Sequence, residues 1–204
     1  MHAFSALLDT LIAAAPERRH AIEQMLLETF QRRKAVLALD MSGFTLSVRR
    51  DGILAYLCQI RRMHKLTRPL VLAHGGSVVK NEADNLLAVF DDVSDAVAAA
   101  LAMVQASVTE CLAPALSFSV GIDVGDILLI DQVDCFGDAV NLACKLGEDI
   151  ARPGEVLLTP QAHSALAAEA GLVFTEVQIS VSGLEVTDFA VTQPTVSPLT
   201  ESKV

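Results

Sequence analysis

The spacing of apolar residues changes several times along the chain, and each change predicts an element. Phe4, Leu7, Leu8, Leu11 and Ile12 recur at helical spacing. Ile22, Met25, Leu26 and Phe30 mark one face of a second helix, which Pro16 can open with Glu17 in its first turn. The basic run Arg32-Arg33-Lys34 reads as the solvated end of that helix, its charge beside the C-terminal dipole. Ala35 to Leu39 is a short apolar run that stops at Asp40, which predicts a buried strand. Ile53 to Leu72 reads as a long helix with Pro69 late in it. Val78-Val79-Lys80 and Leu86 to Phe90 predict two strands, close enough for a hairpin across Asn81 to Asn85. Val93 to Cys111 is an alanine-rich helix. Leu116, Phe118, Val120, Ile122 and Val124 then alternate with small or polar residues, the strongest period-two signal in the chain. Gly125-Asp126 predicts a turn into a further strand, Ile127 to Ile130.

Asp138 to Ile150 predicts a helix with Ala139, Leu142, Ala143 and Leu146 on one side, broken by Pro153-Gly154. Val156 to Leu158 reads as a strand, Pro160 to Ala170 as a short helix, and Leu172 to Val181 with Leu184 to Val191 as a closing antiparallel pair around Ser182-Gly183. The order is the split β-α-β plan: an α+β fold with a ferredoxin-like βαββαβ core, a mixed sheet with helices on one face, extra C-terminal strands and N-terminal helices. The expected organisation is a helical extension over residues 1–34, a catalytic or binding domain over 35–192 and a loose tail over 193–204. Such a plan fixes no function.

Composition narrows the classes. In 204 residues, 52% are hydrophobic and 20% charged, which excludes a disordered chain. A net charge of -10 repels polyanions, and with no Trp and one Tyr there is no stacking platform, so no nucleic-acid partner is expected. The four cysteines form no C-x-x-C pair and suit a reducing compartment. No apolar run approaches the ~20 residues of a membrane span. The first helix carries Asp9 and lacks a basic leader, so it reads as amphipathic rather than as a signal peptide, and a cytoplasmic protein with no membrane partner is expected.

Two carboxylates stand out by context. Asp40 ends an apolar strand and is followed by Ser42-Gly43-Phe44-Thr45; Asp84 sits in the turn after Lys80. If their strands are neighbours, both side chains emerge at one sheet edge. Two carboxylates ~4 Å apart repel by roughly 4 kcal/mol at an effective dielectric near 20, so a cation between them would be favoured. Few, hard oxygen ligands suit Mg²⁺ or Mn²⁺ carrying substrate phosphates. On spacing alone, two turn-forming aspartates fit equally well. Gly43 lets backbone approach a ligand closely, and N–H groups opening the following helix can hold phosphate oxygens. Asn141 and Lys145 are four apart and share a helix face, a pairing that suits a ribose and a phosphate or a plain polar stripe.

Together these segments resemble the class III nucleotidyl cyclases. Asp40-Met41-Ser42-Gly43-Phe44-Thr45 resembles the family's first metal motif, and Val79 to Asp84 its second, which usually reads Lys-x-x-Gly-Asp. Val120 to Gly125 resembles the Gly-Ile-x-x-Gly hairpin, and Phe136 to Ala143 the signature helix. The resemblance implies that Asp40 and Asp84, with the Met41 carbonyl, bind two Mg²⁺ or Mn²⁺ per site, and that Gly43, Phe44 and Thr45 touch the triphosphate. It implies that Lys80 and Asp134 read the base as in adenine-specific members, that Asn141 orients the ribose, and that Lys145 stabilises charge on the α-phosphate. It further implies a head-to-tail homodimer with shared sites that converts ATP to 3′,5′-cyclic AMP and pyrophosphate. GTP, CTP or UTP as substrate, or a nucleotide-binding module with little turnover, remain alternatives. Three positions depart from the family: Ala83 where Gly is usual, Lys145 where many members have Arg, and Ser182 where many have Lys.

Overall fold

In the structure, a computed structural model that describes residues 2–42, 49, 51–110, 113–130, 132–166, 171–181 and 184–192, one mixed sheet organises the chain. The elements in chain order are α1 (His2–Ala13), α2 (Pro16–Phe30), β1 (Gln31–Met41), α3 (Ile53–Ala73), β2 (Ser77–Glu82), β3 (Asn85–Phe90), α4 (Val93–Thr109), β4 (Phe118–Ile130) and β5 (Asp134–Phe136). They continue with α5 (Asp138–Cys144), a π-helical turn (Lys145–Ile150), β6 (Val156–Leu158), α6 (Pro160–Ala165), β7 (Val173–Val181) and β8 (Leu184–Thr192). The sheet order is β2-β3-β1-β4-β6-β8-β7, with β5 paired to β4. The βαββαβ core is therefore present, with β1 at its centre and a parallel β4–β6 pair making the sheet mixed.

Alternation along β1 sorts the core into two layers. Ala35, Leu37, Leu39 and Met41 face α3 and α4, packing with Met63, Val71, Ala96, Ala100 and Met103. Val36 and Ala38 face the other way, onto Ala139, Val140 and Ala143 of α5. Helices thus cover both faces, not one, because the α5 stripe is as apolar as the other two. Asp92 caps α4 by accepting from the Ser94 N–H at 3.0 Å. Arg62 of α3 grips Glu110 through two nitrogens, at 3.2 and 3.0 Å, tying the two helices together at one end.

Several expectations are corrected. The basic run Arg32-Arg33-Lys34 does not end a helix: α2 stops at Phe30, and the run is the first third of β1, paired with Ile127, Asp126 and Gly125 of β4. Gly125-Asp126 is no turn: β4 is one strand of 13 residues, because β1 is long enough to pair with it from Leu128 back to Phe118. The helix beginning at Asp138 is α-helical only to Cys144 and widens into the π turn; Val140, rather than Leu142, is buried beside Ala139 and Ala143. The α6 helix is shorter than predicted, ending at Ala165.

Gly121 and Gly125 have a role that a hairpin reading hides. A Cβ on Gly121 would lie 2.2 Å from the Ala143 carbonyl oxygen and 2.5 Å from the Gly147 nitrogen; one on Gly125 would meet the Ala139 Cβ at 3.2 Å. Ala139 to Gly147 covers about 12 Å of helix and Gly121 to Gly125 about 13 Å of strand, so α5 and the π turn lie along β4 in a groove that small residues open.

Two buried carboxylates, Asp123 of β4 and Asp188 of β8, are only 3% and 2% exposed. The Thr159 hydroxyl donates to Asp123 while accepting from the Ala162 N–H, which caps α6. Burial, and then the charge of Asp123, pushes Asp188 up to about 6. Between the ordinary aspartate range and that value the folded chain holds a proton that the unfolded chain has lost, so stability falls as pH rises. Above about pH 6 the penalty is complete, on the order of 3 kcal/mol. Asp188→Asn should therefore raise stability to urea at pH 8 and much less at pH 4.5; an equal gain at both values would contradict the assignment.

Candidate active site

Strand register brings the two predicted aspartates together. Asp40 stands opposite Asn85 of β3, and the Met41 N–H donates to the Asp84 carbonyl at 3.1 Å, so the end of β1 is stitched to the β2–β3 turn. The Asp40 carboxyl is pushed up to about 6, by burial first, then by the negative charges of Asp84 and Glu148, against a lowering hydrogen bond from Met41. Met41 buries its side chain in the core, so any contribution to the edge comes from its main chain. Ser42 leaves β1 tied to β4: its N–H donates to the Ser117 carbonyl at 2.9 Å and its hydroxyl lies 2.9 Å from that of Ser119. Gly43, Phe44 and Thr45 lie outside the described residues, as does Ser182.

Ala83, between Glu82 and Asp84, has φ +52. The left-handed backbone that the family's usual Gly would supply is thus adopted by an alanine, at a cost of roughly 1 kcal/mol. Asp84 follows directly on this left-handed residue, at the end of the β2–β3 turn.

The sequence pattern did not mark Tyr56 or Glu148 as neighbours of this pair. Tyr56 occupies a core position on α3, and its phenol is pushed up to about 12 by burial, then by the Asp84 carboxylate beside it and by Asp40. Glu148 sits on the π turn, raised by burial and less strongly by Asp149, Asp84 and Glu82. Neither proximity leaves a periodic signal, since both arise from elements far apart in the chain.

Lys80 and Asp134 form a second cluster. A register shift between Val78 and Lys80 re-aims the Lys80 side chain, whose ammonium lies 3.1 Å from Asp134 and 3.5 Å from Glu82. The hydrogen bond to Asp134 is the main cause of the raised Lys80 pKa. Asp134 opens β5, a three-residue strand that the pattern did not predict, and accepts from the Cys135 N–H at 2.9 Å. Cys135 points the other way, into the α5 layer, and burial pushes its thiol up to about 12, which suits a small core residue rather than a reactive one.

The third cluster is on α5. Asn141 is exposed, and Lys145, one turn later, pairs with Asp149 at 2.5 Å. Cys144, between them and the sheet, is raised to about 11 by burial and Glu148, while Lys80 lowers it, so α5 lies within electrostatic reach of the Lys80–Asp134 pair. Among the described residues, no hydrogen bond or ion pair joins Asp40 or Asp84 to Lys80, Asp134, Asn141 or Lys145.

Among the described residues, no group of three or more His, Cys, Asp or Glu side chains could hold a metal, and no helix is long and apolar enough to cross a membrane. Asp40 and Asp84 nevertheless fit a hard cation. The negative charge of Asp84 raises the cost of ionising Asp40, and two carboxylates leave coordination positions for the oxygens of a phosphate ligand.

Comparisons with known proteins bear on the chain as a whole. A Rhizobium meliloti (strain 1021) protein named "Putative adenylate cyclase 3" is 35% identical over 141 residues, which cover 67% of this chain but 24% of that protein, so the chain spans about a quarter of its length. The adenylate/guanylate cyclase/hydrolase of Silicibacter pomeroyi is 29% identical, with a TM-score of 0.66 over 80% of this chain and 98% of its own. The adenylyl cyclase CyaB of P. aeruginosa, 22% identical, shares the fold with a TM-score of 0.65 over 80% of this chain and 96% of its own. Residues 34–193 match the family model described as the adenylate and guanylate cyclase catalytic domain. Since that match runs from within β1 to just past β8, this chain belongs to the adenylate and guanylate cyclase catalytic domain family.

Proposed function

We propose that the protein is an adenylate cyclase, forming 3′,5′-cyclic AMP and pyrophosphate from ATP in sites shared between two head-to-tail copies of the chain. The observation that supports this reading most strongly is the meeting of Asp40 and Asp84 at one sheet edge, carried there by β1 and the β2–β3 turn. These two side chains, with the Met41 main chain, would hold Mg²⁺ or Mn²⁺. When bound, such ions neutralise the triphosphate and make the ribose 3′-hydroxyl easier to deprotonate.

The chain's own groups position the rest. Lys80 donates to a ring nitrogen of adenine and Asp134 accepts from its amino group; guanine presents the reverse at those edges, so the pair disfavours GTP. Lys80 and Asp134 already bond each other at 3.1 Å, so both charges are oriented before a nucleotide arrives. Asn141 holds the ribose so that its 3′-oxygen lies in line with the α-phosphorus. The new O–P bond forms there as the bond to pyrophosphate breaks, and Lys145 stabilises the charge that develops on the α-phosphate. Lys145 must leave Asp149 to do so, at a cost of no more than about 0.5 kcal/mol for an exposed i,i+4 pair.

Because Asp40 and Asp84 lie in one cluster and Asn141 with Lys145 in another, a dimer in which each copy completes the other's site fits the geometry. Incubation with ATP, GTP, CTP and UTP in Mn²⁺ or Mg²⁺, with cyclic nucleotide and pyrophosphate measured, tests the reading. Preferential cyclic AMP formation is expected; a folded, dimeric protein that makes none, or prefers another base, would overturn it. Lys145→Arg is expected to raise kcat several-fold with ATP, roughly three- to tenfold, because a planar fork can hold two phosphate oxygens at once. An unchanged or lower rate would show that Lys145 does not act on the reacting phosphate.

A further inference from the structure

The β5 strand that carries Asp134 is short and sits at the end of a long β4 arm, held by the pairs Leu128↔Phe136, Leu129↔Cys135 and Ile130↔Asp134. Three residues of ladder are a weak anchor for a side chain that must meet a base edge. On one face Cys135 enters the α5 core. By alternation Asp134 and Phe136 share the opposite face, and there the support comes from the N-terminal helices.

Phe4 of α1 stacks flat on Phe136, with ring centroids 5.8 Å apart and planes 4° from parallel. It also meets Phe30, the last residue of α2, in a T-shaped contact at 5.1 Å and 86°. Phe4, Ile22 and Leu26 pack with Ile130 of β4, and Leu128 and Val133 lie against the same cluster. Phe4 is 7% exposed while Phe136 is 45% exposed, so the phenylalanine of α1 is the ring that the cluster encloses and Phe136 leans on it.

We propose that α1, through Phe4, is the positioning element for the β5 strand and thereby sets how faithfully Asp134 selects the base. The selectivity part rests on the reading of Asp134 as a base-reading residue. Phe4 touches no substrate; it acts through Phe136, two residues from Asp134. A chain with Phe4 removed keeps both candidate metal-binding aspartates and α5, so the loss falls on discrimination between nucleotides rather than on the reaction as a whole.

The test compares kcat/KM for ATP and for GTP in the full chain, its Phe4→Ala and Phe4→Leu variants, Asp134→Asn, and the Phe4→Ala/Asp134→Asn double variant. Hydrogen exchange of the β4–β5 amides is followed in parallel. Removing one aromatic stack is expected to lower the ATP/GTP ratio by roughly three- to tenfold, chiefly through a higher KM for ATP. Exchange at Cys135 and Phe136 should quicken while α3 and α4 are unchanged, and Phe4 should have no further effect on the ratio once Asp134 is replaced. Phe4→Leu keeps apolar volume but loses the flat face, so it should show the same shift even if Phe4→Ala fails to fold. Equal loss with both nucleotides, or unchanged β5 exchange, would overturn the proposal. If Asp134→Asn itself leaves the ratio unaltered, base reading by Asp134 falls and the selectivity part falls with it, while the exchange data still decide whether α1 positions β5.

Discussion

Asp40→Ala and Asp84→Ala are each expected to lower cyclase turnover by at least about a thousandfold, equivalent to roughly 4 kcal/mol of lost transition-state stabilisation. The reason is that each chain offers two carboxylates at this edge, and neither can be replaced by a neighbour. Tyr56 is a phenol held protonated at any physiological pH, and Glu148, on the π turn over the same face as Asp40, acts on Asp40 less strongly than Asp84 does. The loss should come without unfolding. Asp40 ionises against burial and the charges of Asp84 and Glu148, so above pH 6 its carboxylate opposes folding, and Asp40→Ala should melt at or above the parent temperature at pH 8. Initial rates of cyclic nucleotide formation, read beside melting curves, check both halves. Substantial rates in either variant would remove the two-carboxylate account of the site.

Gly121→Ala is expected to destabilise the fold by on the order of 3 kcal/mol, against well under 1 kcal/mol for Gly125→Ala. The difference lies in what each new methyl would meet. At Gly121 the neighbours are main-chain atoms, the Ala143 carbonyl oxygen at 2.2 Å and the Gly147 nitrogen at 2.5 Å, which cannot rotate aside. At Gly125 the neighbour is the Ala139 methyl at 3.2 Å, which a shift of a few tenths of an ångström would relieve. Lifting α5 from β4 also moves Asn141 and Lys145, so Gly121→Ala that still folds should lose turnover as well. Urea denaturation of both variants checks the ranking; similar costs at the two glycines would show that α5 does not lie against β4 as described.

These two predictions draw on different kinds of information. Asp40 was legible because it closes an unmistakable apolar run, and Asp84 because it stands in the turn of the next hairpin. That they share one sheet edge depended on which strands are neighbours, since on spacing alone two turn-forming aspartates fitted equally well. The βαββαβ order was legible because periods of 2 and 3.6 write themselves locally. The role of Gly121 was not, because Gly-x-x-x-Gly in a strand can mark a turn or a groove, and only the element lying across it decides which. Arg32 to Lys34 show the same limit. Their charge suits a helix end, yet β4 is long enough to recruit them into β1, and ladder hydrogen bonds outweigh a weak dipole preference.

The sequence by itself therefore determined most of the helical and strand segments and their βαββαβ order, one aspartate closing an apolar strand and another in the following hairpin turn, and a lysine and an aspartate 54 positions apart in the chain. Only the tertiary structure decided that Lys80 and Asp134 pair at 3.1 Å, that α5 covers the second face of the sheet over two glycines, and that Tyr56, Glu148 and Phe4 lie against the residues in question. The physical reason is range: backbone periodicity is fixed by neighbours a few positions away, whereas proximity between side chains is fixed by strand register and layer packing, which depend on the whole chain at once.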